Sequence, residues 1–259
     1  MKIVREPKVY VIGRQVVDRS EVDGFLDAHG LTWETDTEVG AEALSEIGGR
    51  LCYMSFGAGR KTNREYLEHL VEMGHGSVLE HAVWNLLFTG ISRSCTHELV
   101  RHRAGFAYSQ LSQRYVDESD TDFIEPDLIA EDPELHALWV EACETTHRIY
   151  CDLVEKLMAK VAELHPDEAK TARRKMARQA ARSVLPNATE TKIFVTANAR
   201  ALRHFIEMRA HPAAEVEIRK LAVAVLRVMQ AESPNLFGDY EIYTLPDGTE
   251  AARTPHRKV

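Results

Sequence analysis

A chain of 259 residues, 44% of them hydrophobic, has enough apolar material for one large core or two small ones, so a folded globular protein is the default. A formal net charge of −8 argues against a protein devoted to a nucleic-acid backbone. The opening "MKIVREPKVYVIGRQVV" interrupts its apolar run too early for a signal-peptide core or a membrane span, and Cys52, Cys95, Cys143 and Cys151 form no CxxC pair. The chain therefore reads as cytoplasmic, with no membrane partner and no disulfide framework.

In chain order, "KVYVIGRQVV" (8–17) is rich in β-branched residues and reads as a strand. "TEVGAEALSEIGGR" (37–50) reads as a short helix closed by Gly48 and Gly49, and "FGAGRKTN" (56–63) as a loop. That loop lacks the GxxxxGK[ST] spacing of a phosphate-binding loop, which rejects the motif. "REYLEHLVEMGHG" (64–76) is a helix, "AVWNLLFTGIS" (82–92) a strand, and "SRSCTHELVRHR" (92–103) a helix with Ser92 as N-cap and Arg93, His97 and Arg101 on one face. The acidic stretch 117–134 reads as an exposed connection. A long amphipathic helix follows from 133, its apolar stripe running through Leu135, Leu138, Ala142, Ile149, Leu153, Leu157 and Val161. Pro166 opens the next helix, which runs to about Val184 with Arg174, Arg178 and Arg182 in line. "TKIFVTA" (191–197) is a strand, Asn198 caps the helix "ARALRHFIEMR", and Pro212 starts the last long helix. Residues from about 245 to 259 read as a loose tail. Strands and helices alternate too irregularly for a doubly wound sheet, so the expectation is α+β in a single domain, 1–259.

Basic residues are clustered in this acidic chain. Residues 89–115 carry Arg93, Arg101, Arg103 and Arg114 against Glu98; residues 170–192 carry Lys170, Arg173, Arg174, Lys175, Arg178, Arg182 and Lys192 against Glu190. Residues 198–211 add Arg200, Arg203 and Arg209 against Glu207. Each cluster alone is an ordinary solvated face; three together argue for a pocket that holds phosphates, and the arginine fork suits bidentate recognition of them. The histidines form neither HExxH nor a Cys/His quartet, so no metal is implied, and no GxSxG elbow is present. Three classes stay open: an enzyme acting on a nucleotide with a phosphate-bearing cofactor, a single-stranded nucleic-acid binder, and a structural assembly with interfacial arginines. The bulk charge weighs against the second.

"RHRAGFAYSQLSQRY" (101–115) resembles the RHR signature of the flavin-dependent thymidylate synthases, and "GHGSVLEH", "SRSCTHEL", "ARSVLPNATET" and "TANARALRHF" resemble further segments in that family's order. The resemblance implies a homotetramer built from a mixed or antiparallel sheet flanked by long helices, with active sites at subunit interfaces. It implies FAD reduced by NADPH, a carbon unit from methylenetetrahydrofolate placed on C5 of dUMP, and a flavin hydride that completes the methyl group of dTMP. Carried over residue by residue, Ser77, Glu80, Arg101, His102, Arg103, Asn198, Arg200 and His204 would contact the flavin cofactor. Glu98, Arg101, Gln110, Leu111, Ser112, Gln113, Arg114, Arg182 and Arg209 would hold the nucleotide, and His75 and Tyr115 would lie on the folate side. Arg209, Ser112 and His75 would be the catalytic set, Arg209 stabilising negative charge at the O4/N3 edge of the pyrimidine.

The chain departs from that family pattern at one place in the signature. The commonest spacing puts seven residues between RHR and the serine, whereas Ala104 to Leu111 makes eight, and Ala107 replaces a frequent serine. A longer segment is expected to shift the backbone around the sugar and phosphate. It raises the alternative that UMP is the main substrate, as in a sibling enzyme of nucleoside-antibiotic biosynthesis.

Overall fold

A computed structural model describes residues 1–57 and 59–259; Ala58, inside the loop expected at 56–63, lies outside the described residues. In chain order the elements are β1 (Lys2–Val4), β2 (Lys8–Arg14), α1 (Arg19–Ala28), α2 (Gly40–Tyr53), α3 (Asn63–Glu72), β3 (Val83–Ser92), α4 (Arg93–Leu99), β4 (Phe106–Gln110), β5 (Asp122–Ile124), α5 (Asp127–Ala130), α6 (Pro133–Leu164), α7 (Lys170–Ala181), β6 (Glu190–Asn198), α8 (Ala199–Arg209), α9 (Val216–Glu232), α10 (Pro234–Phe237), β7 (Glu241–Thr244) and β8 (Glu250–Arg253). This is an α+β fold with long helices, as expected. The chain divides into two compact units, residues 1–7, 89–99 and 109–193 in the first and 8–88, 100–108 and 194–259 in the second. The boundary falls inside β3, β4 and β6.

In the first unit β1 and β5 pair in parallel, Ile3 opposite Phe123, and Phe123 is fully buried. The acidic stretch 117–134 is therefore not an exposed connection: it supplies a strand, and Glu118 and Glu125 are both buried. Glu125 tolerates burial because Arg5 and His136 both bond its carboxylate. The helix expected from 133 is present as α6 and packs on α7, but its stripe is only partly covered, since Leu135, Leu138 and Ile149 are exposed. α7 starts at Lys170 rather than Pro166 and gives way at Arg182 to a short 3₁₀ turn.

A four-stranded sheet runs in the order β2-β3-β6-β4. Trp84, Leu86 and Phe88 point inward on alternate positions of β3, as do Val195 and Ala197 on β6. Helix α9 packs on β2 and α8 and buries Ile218, Leu221, Ala222, Val225, Leu226 and Met229, the spacing of a core-facing stripe. It begins at Val216 with Glu215 as N-cap; Pro212 lies in the preceding turn, where Arg219 takes the carbonyls of Pro212 and Ala214.

Two expectations fail here for packing reasons. Gly48 and Gly49 do not end α2, which continues to Tyr53; a Cβ on Gly49 would stand 2.6 Å from the Tyr66 hydroxyl, so these glycines permit close approach rather than termination. The segment from 245 is not a loose tail: β8 pairs antiparallel with β7, Ala251 is fully buried, and Val259 is buried as well.

Candidate functional site

In the second unit β6 ends at Asn198, whose Oδ1 accepts from the Ala201 N–H at 2.8 Å and caps α8 as expected. The Asn198 N–H donates to the Gly105 carbonyl and the Ala199 N–H to that of Ala82. Gly105 has φ +72° and its missing Cβ would meet Asn198 Nδ2 at 2.7 Å and Ala201 Cβ at 2.8 Å, so both backbone and space demand glycine. The result is a cavity of about 440 Å³ lined by Glu80, Ala104, Gly105, Asn198, Arg200, Ala201, His204, Lys258 and Val259. The capped end of α8 faces it with the partial positive charge of a helix N-terminus.

Glu80, Asn198, Arg200 and His204, expected on the cofactor side, thus share one cavity. Arg200 donates to the Glu80 carboxylate at 2.7 Å. Gly76 explains the second glycine of "GHG": a Cβ there would stand 2.8 Å from Arg200 Nε and 3.0 Å from the Val259 carbonyl carbon. Ser77, Arg101 and Arg103 are exposed and His75 half-buried, all in this unit and outside that lining. Arg203, counted in the basic cluster of 198–211, belongs to the core instead, fully buried and gripping Asp239 with both amino nitrogens.

The expected helix face of Arg93, His97 and Arg101 does not form, because α4 stops at Leu99. Ser92 does cap it, its Oγ accepting from the Cys95 N–H. His102 consequently sits in the irregular segment between α4 and β4, and its ring meets α8. Arg209 Nε donates to His102 Nε2 at 3.0 Å. The ring lies edge-on to Phe205 at 5.2 Å and near Phe106 and His204. Burial first, then the Arg209 and His204 charges, push its pKa down to about 4. The imidazole is therefore neutral at physiological pH, with Nε2 as acceptor and the proton on Nδ1. The Tyr108 hydroxyl, its pKa raised by burial, donates to the His102 carbonyl at 2.7 Å, so His102 is pinned at ring and backbone.

Of the residues expected to hold the nucleotide, Glu98, Gln110, Leu111, Ser112, Gln113, Arg114 and Arg182 belong to the first unit, and Arg101 and Arg209 to the second. Within the basic stretch 101–115, β4 occupies Phe106–Gln110. Gln110 Nε2 donates to Thr96 Oγ1 at 2.9 Å and Thr191 Oγ1 at 3.4 Å, and the Leu111 N–H donates to the Lys192 carbonyl. Arg93, which the sequence reading did not assign to the site, donates to the Leu111 carbonyl at 3.1 Å. Ser112 starts a turn: its carbonyl accepts from the N–H groups of Tyr115 and Val116, its Oγ from Arg114 N. Gln113, inside that turn, is buried. Arg178 supports the far side, donating to the Tyr115 carbonyl at 2.7 Å and to Asp117.

The charge there is only partly answered. Arg114 Nε is buried with no hydrogen-bond partner among the described residues. Arg93 is depressed by burial, with Glu118 pulling it up and the like charge of Arg182 pushing it down. Burial pushes the Glu118 carboxyl up. Tyr115 is exposed under the Lys175 ammonium, whose hydrogen bond lowers the phenol, and Glu98 is half-buried on α4. A buried guanidinium nitrogen lacking an acceptor fits an anionic ligand.

Sequence reasoning missed Ala104, Gly105, Lys258 and Val259 in the cavity and Arg93 behind Leu111. A glycine after the RHR run was a visible signal for the turn; no local pattern announces residues that return from the end of the chain. Among the described residues no three His, Cys, Asp or Glu side chains come together to hold a metal, and no helix is long and apolar enough to cross a membrane.

The family model described as thymidylate synthase complementing protein matches residues 35–235. A flavin-dependent thymidylate synthase of Mycobacterium sp. (strain JLS) is 53% identical over 245 residues, 93% of this chain and 94% of that protein. Its namesake in Mycobacteroides abscessus is 52% identical over 234 residues, 89% of this chain and 92% of that protein, and that of Mycobacterium avium (strain 104) is 50% identical with the same coverage.

Proposed function

The chain belongs to the thymidylate synthase complementing protein family, that of the flavin-dependent thymidylate synthases, and from that premise we propose that it methylates C5 of dUMP to give dTMP. The carbon comes from methylenetetrahydrofolate and the cofactor is FAD, reduced by NADPH. The carrying observation is the second unit's cavity, where Glu80, Asn198, Arg200 and His204 surround about 440 Å³ at the capped start of a helix. An anionic dinucleotide suits those residues: arginine, helix N-terminus and a glycine turn admit a pyrophosphate to close backbone contact. When bound, the flavin supplies the hydride that completes the methyl group.

The chain's own residues bind and orient. Arg101, His102 and Arg103, with Ser77, belong to the cofactor side; the neutral His102 accepts from Arg209 and so fixes the direction in which that guanidinium points. Arg209 then stabilises the negative charge that grows on the pyrimidine as C5 becomes nucleophilic, a pre-aimed cation that needs no reorganisation during the reaction. Ser112, Gln113 and Arg114, with the backbone of Gln110 and Leu111 and with Arg182, hold the phosphate, and the unpartnered Arg114 Nε supports that reading. Glu98 and Arg101 complete the nucleotide side, and His75 and Tyr115 the folate side.

Assembly as a homotetramer with active sites at subunit interfaces is supported by the apolar residues that α6 leaves exposed, Leu138 at 58% and Leu135 at 44%. The enzyme works in the cytoplasm on a free nucleotide; the net charge of −8 disfavours a nucleic-acid partner. The turn of Ala104 and Gly105 within the longer signature lines the cofactor cavity, which gives no support to a widened sugar site for UMP.

The test is direct. Purified protein should be yellow, bleach with NADPH, and release tritium from C5-labelled dUMP when methylenetetrahydrofolate is added. Colourless, inactive protein overturns the reading, and faster release from UMP than from dUMP replaces the substrate.

A further inference from the structure

We propose that Lys258 is a further anion-binding residue of the cavity in the second unit, and that its ammonium contacts the phosphate portion of the dinucleotide cofactor; this rests on the flavin reading above. No motif marks residues 254–259, yet they are tied down along their length. Thr254 Oγ1 donates to Asp239, and Arg203 reaches the His256 carbonyl. Arg257 Nε donates to Glu207 Oε1 at 2.9 Å, and the backbone N–H of Lys258 donates to Oε2 of the same glutamate at 2.9 Å. Val259 is buried at 6% exposure beside Gly76 and Arg200.

Lys258 itself has φ +61°, a left-handed conformation that a lysine adopts only where its surroundings hold it. That bend sets the residue into the cavity wall alongside Glu80, Asn198, Arg200 and His204. Arg200 and Glu80 are already paired with each other. The Lys258 ammonium makes no ion pair among the described residues, so of the two cationic side chains lining the cavity it is the one without a carboxylate partner. A phosphate entering beside the α8 N-terminus supplies that partner.

The anchoring bond to Glu207 uses the backbone of Lys258, so Lys258→Ala leaves the segment in place, which an unchanged Tm verifies. FAD and riboflavin, the latter lacking every phosphate, are titrated against the unaltered protein, Lys258→Ala and Lys258→Arg, following flavin fluorescence at two salt concentrations. The expected result is a Kd for FAD about tenfold weaker in Lys258→Ala, with a shallower salt dependence, riboflavin affinity unchanged, and recovery in Lys258→Arg. Equal weakening of FAD and riboflavin, or no change for FAD, overturns the proposal while leaving the cavity a flavin site. If the unaltered protein binds neither flavin, the reading of the cavity falls and this residue's role with it.

Discussion

The two units handle charge in opposite ways. In the second, most of the cations described are paired: Arg200 holds Glu80, Arg209 donates to a neutral His102, and Arg203 grips Asp239 with both amino nitrogens although its buried Nε has no partner among the described residues. Lys258 alone in the cavity lining is a cation without a carboxylate among the described residues. In the first, cations are brought near each other with needs left over, Arg114 with an unpartnered buried Nε and Arg93 facing the like charge of Arg182. A region whose cations are mostly paired is largely set in shape before a ligand arrives. A region holding unanswered positive charge acquires its partner only when an anion does arrive, and that anion's binding energy repays the strain of crowding the cations.

The contrast can be broken most sharply at Gly105. Gly105→Val forces a β-branched residue into φ +72° and drives its Cβ into Asn198 and Ala201, so left-handed strain of roughly 1–2 kcal/mol adds to loss of a cap worth about 1 kcal/mol. FAD affinity should fall by about 100-fold or more, read by flavin fluorescence, while nucleotide binding, read by calorimetry, persists, because Gln110 to Arg114 lie outside the cavity lining. Equal loss of both would show that the cavity is not separately built.

Arg209→Gln should lower kcat by about 10² to 10³ with FAD retained, as removal of a fixed transition-state donor does; a protein that instead loses its yellow colour would make Arg209 a cofactor ligand. In the first unit, Arg178→Met removes the support of residues 115–117 and should raise the dUMP KM about tenfold, the size of a lost charge-assisted bond. FAD affinity should not move.

The smallest effect is a pH dependence. The pKa of His102 is depressed from an ordinary value near 6.5 to about 4, so between those values the unfolded chain takes up a proton that the folded one refuses. Its contribution is fully present above about pH 6.5 and is lost as pH falls toward 4. Urea midpoints measured across that range should therefore decline less steeply in His102→Asn than in the unaltered protein.

Legibility in the sequence followed the range of the interactions. Asn198 as a cap, Ser92 as a cap, the period of α6 and the β-branched runs of β2 and β6 are local, and the residues that make them sit within a turn or a strand of one another. The family signature was legible for a related reason, since its residues cluster in short ordered segments. Gly48 and Gly49 read as a helix end because their constraint, the Tyr66 hydroxyl and the His81 ring, lies on other elements. The acidic stretch read as exposed because Arg5, which together with His136 lets Glu125 be buried, lies 120 residues from that glutamate along the chain.

What the amino-acid order determined by itself is the α+β class, most helix and strand positions, the family, and the residue types available for phosphate and pyrimidine. Tertiary structure alone decided where α4 stops and β4 begins within the basic run, that Arg203 serves the core, that His102 is neutral under Arg209, and that Lys258 and Val259 line a cavity. Each of these turns on burial or on a partner distant in sequence, and desolvation and long-range pairing exist only once the chain has folded.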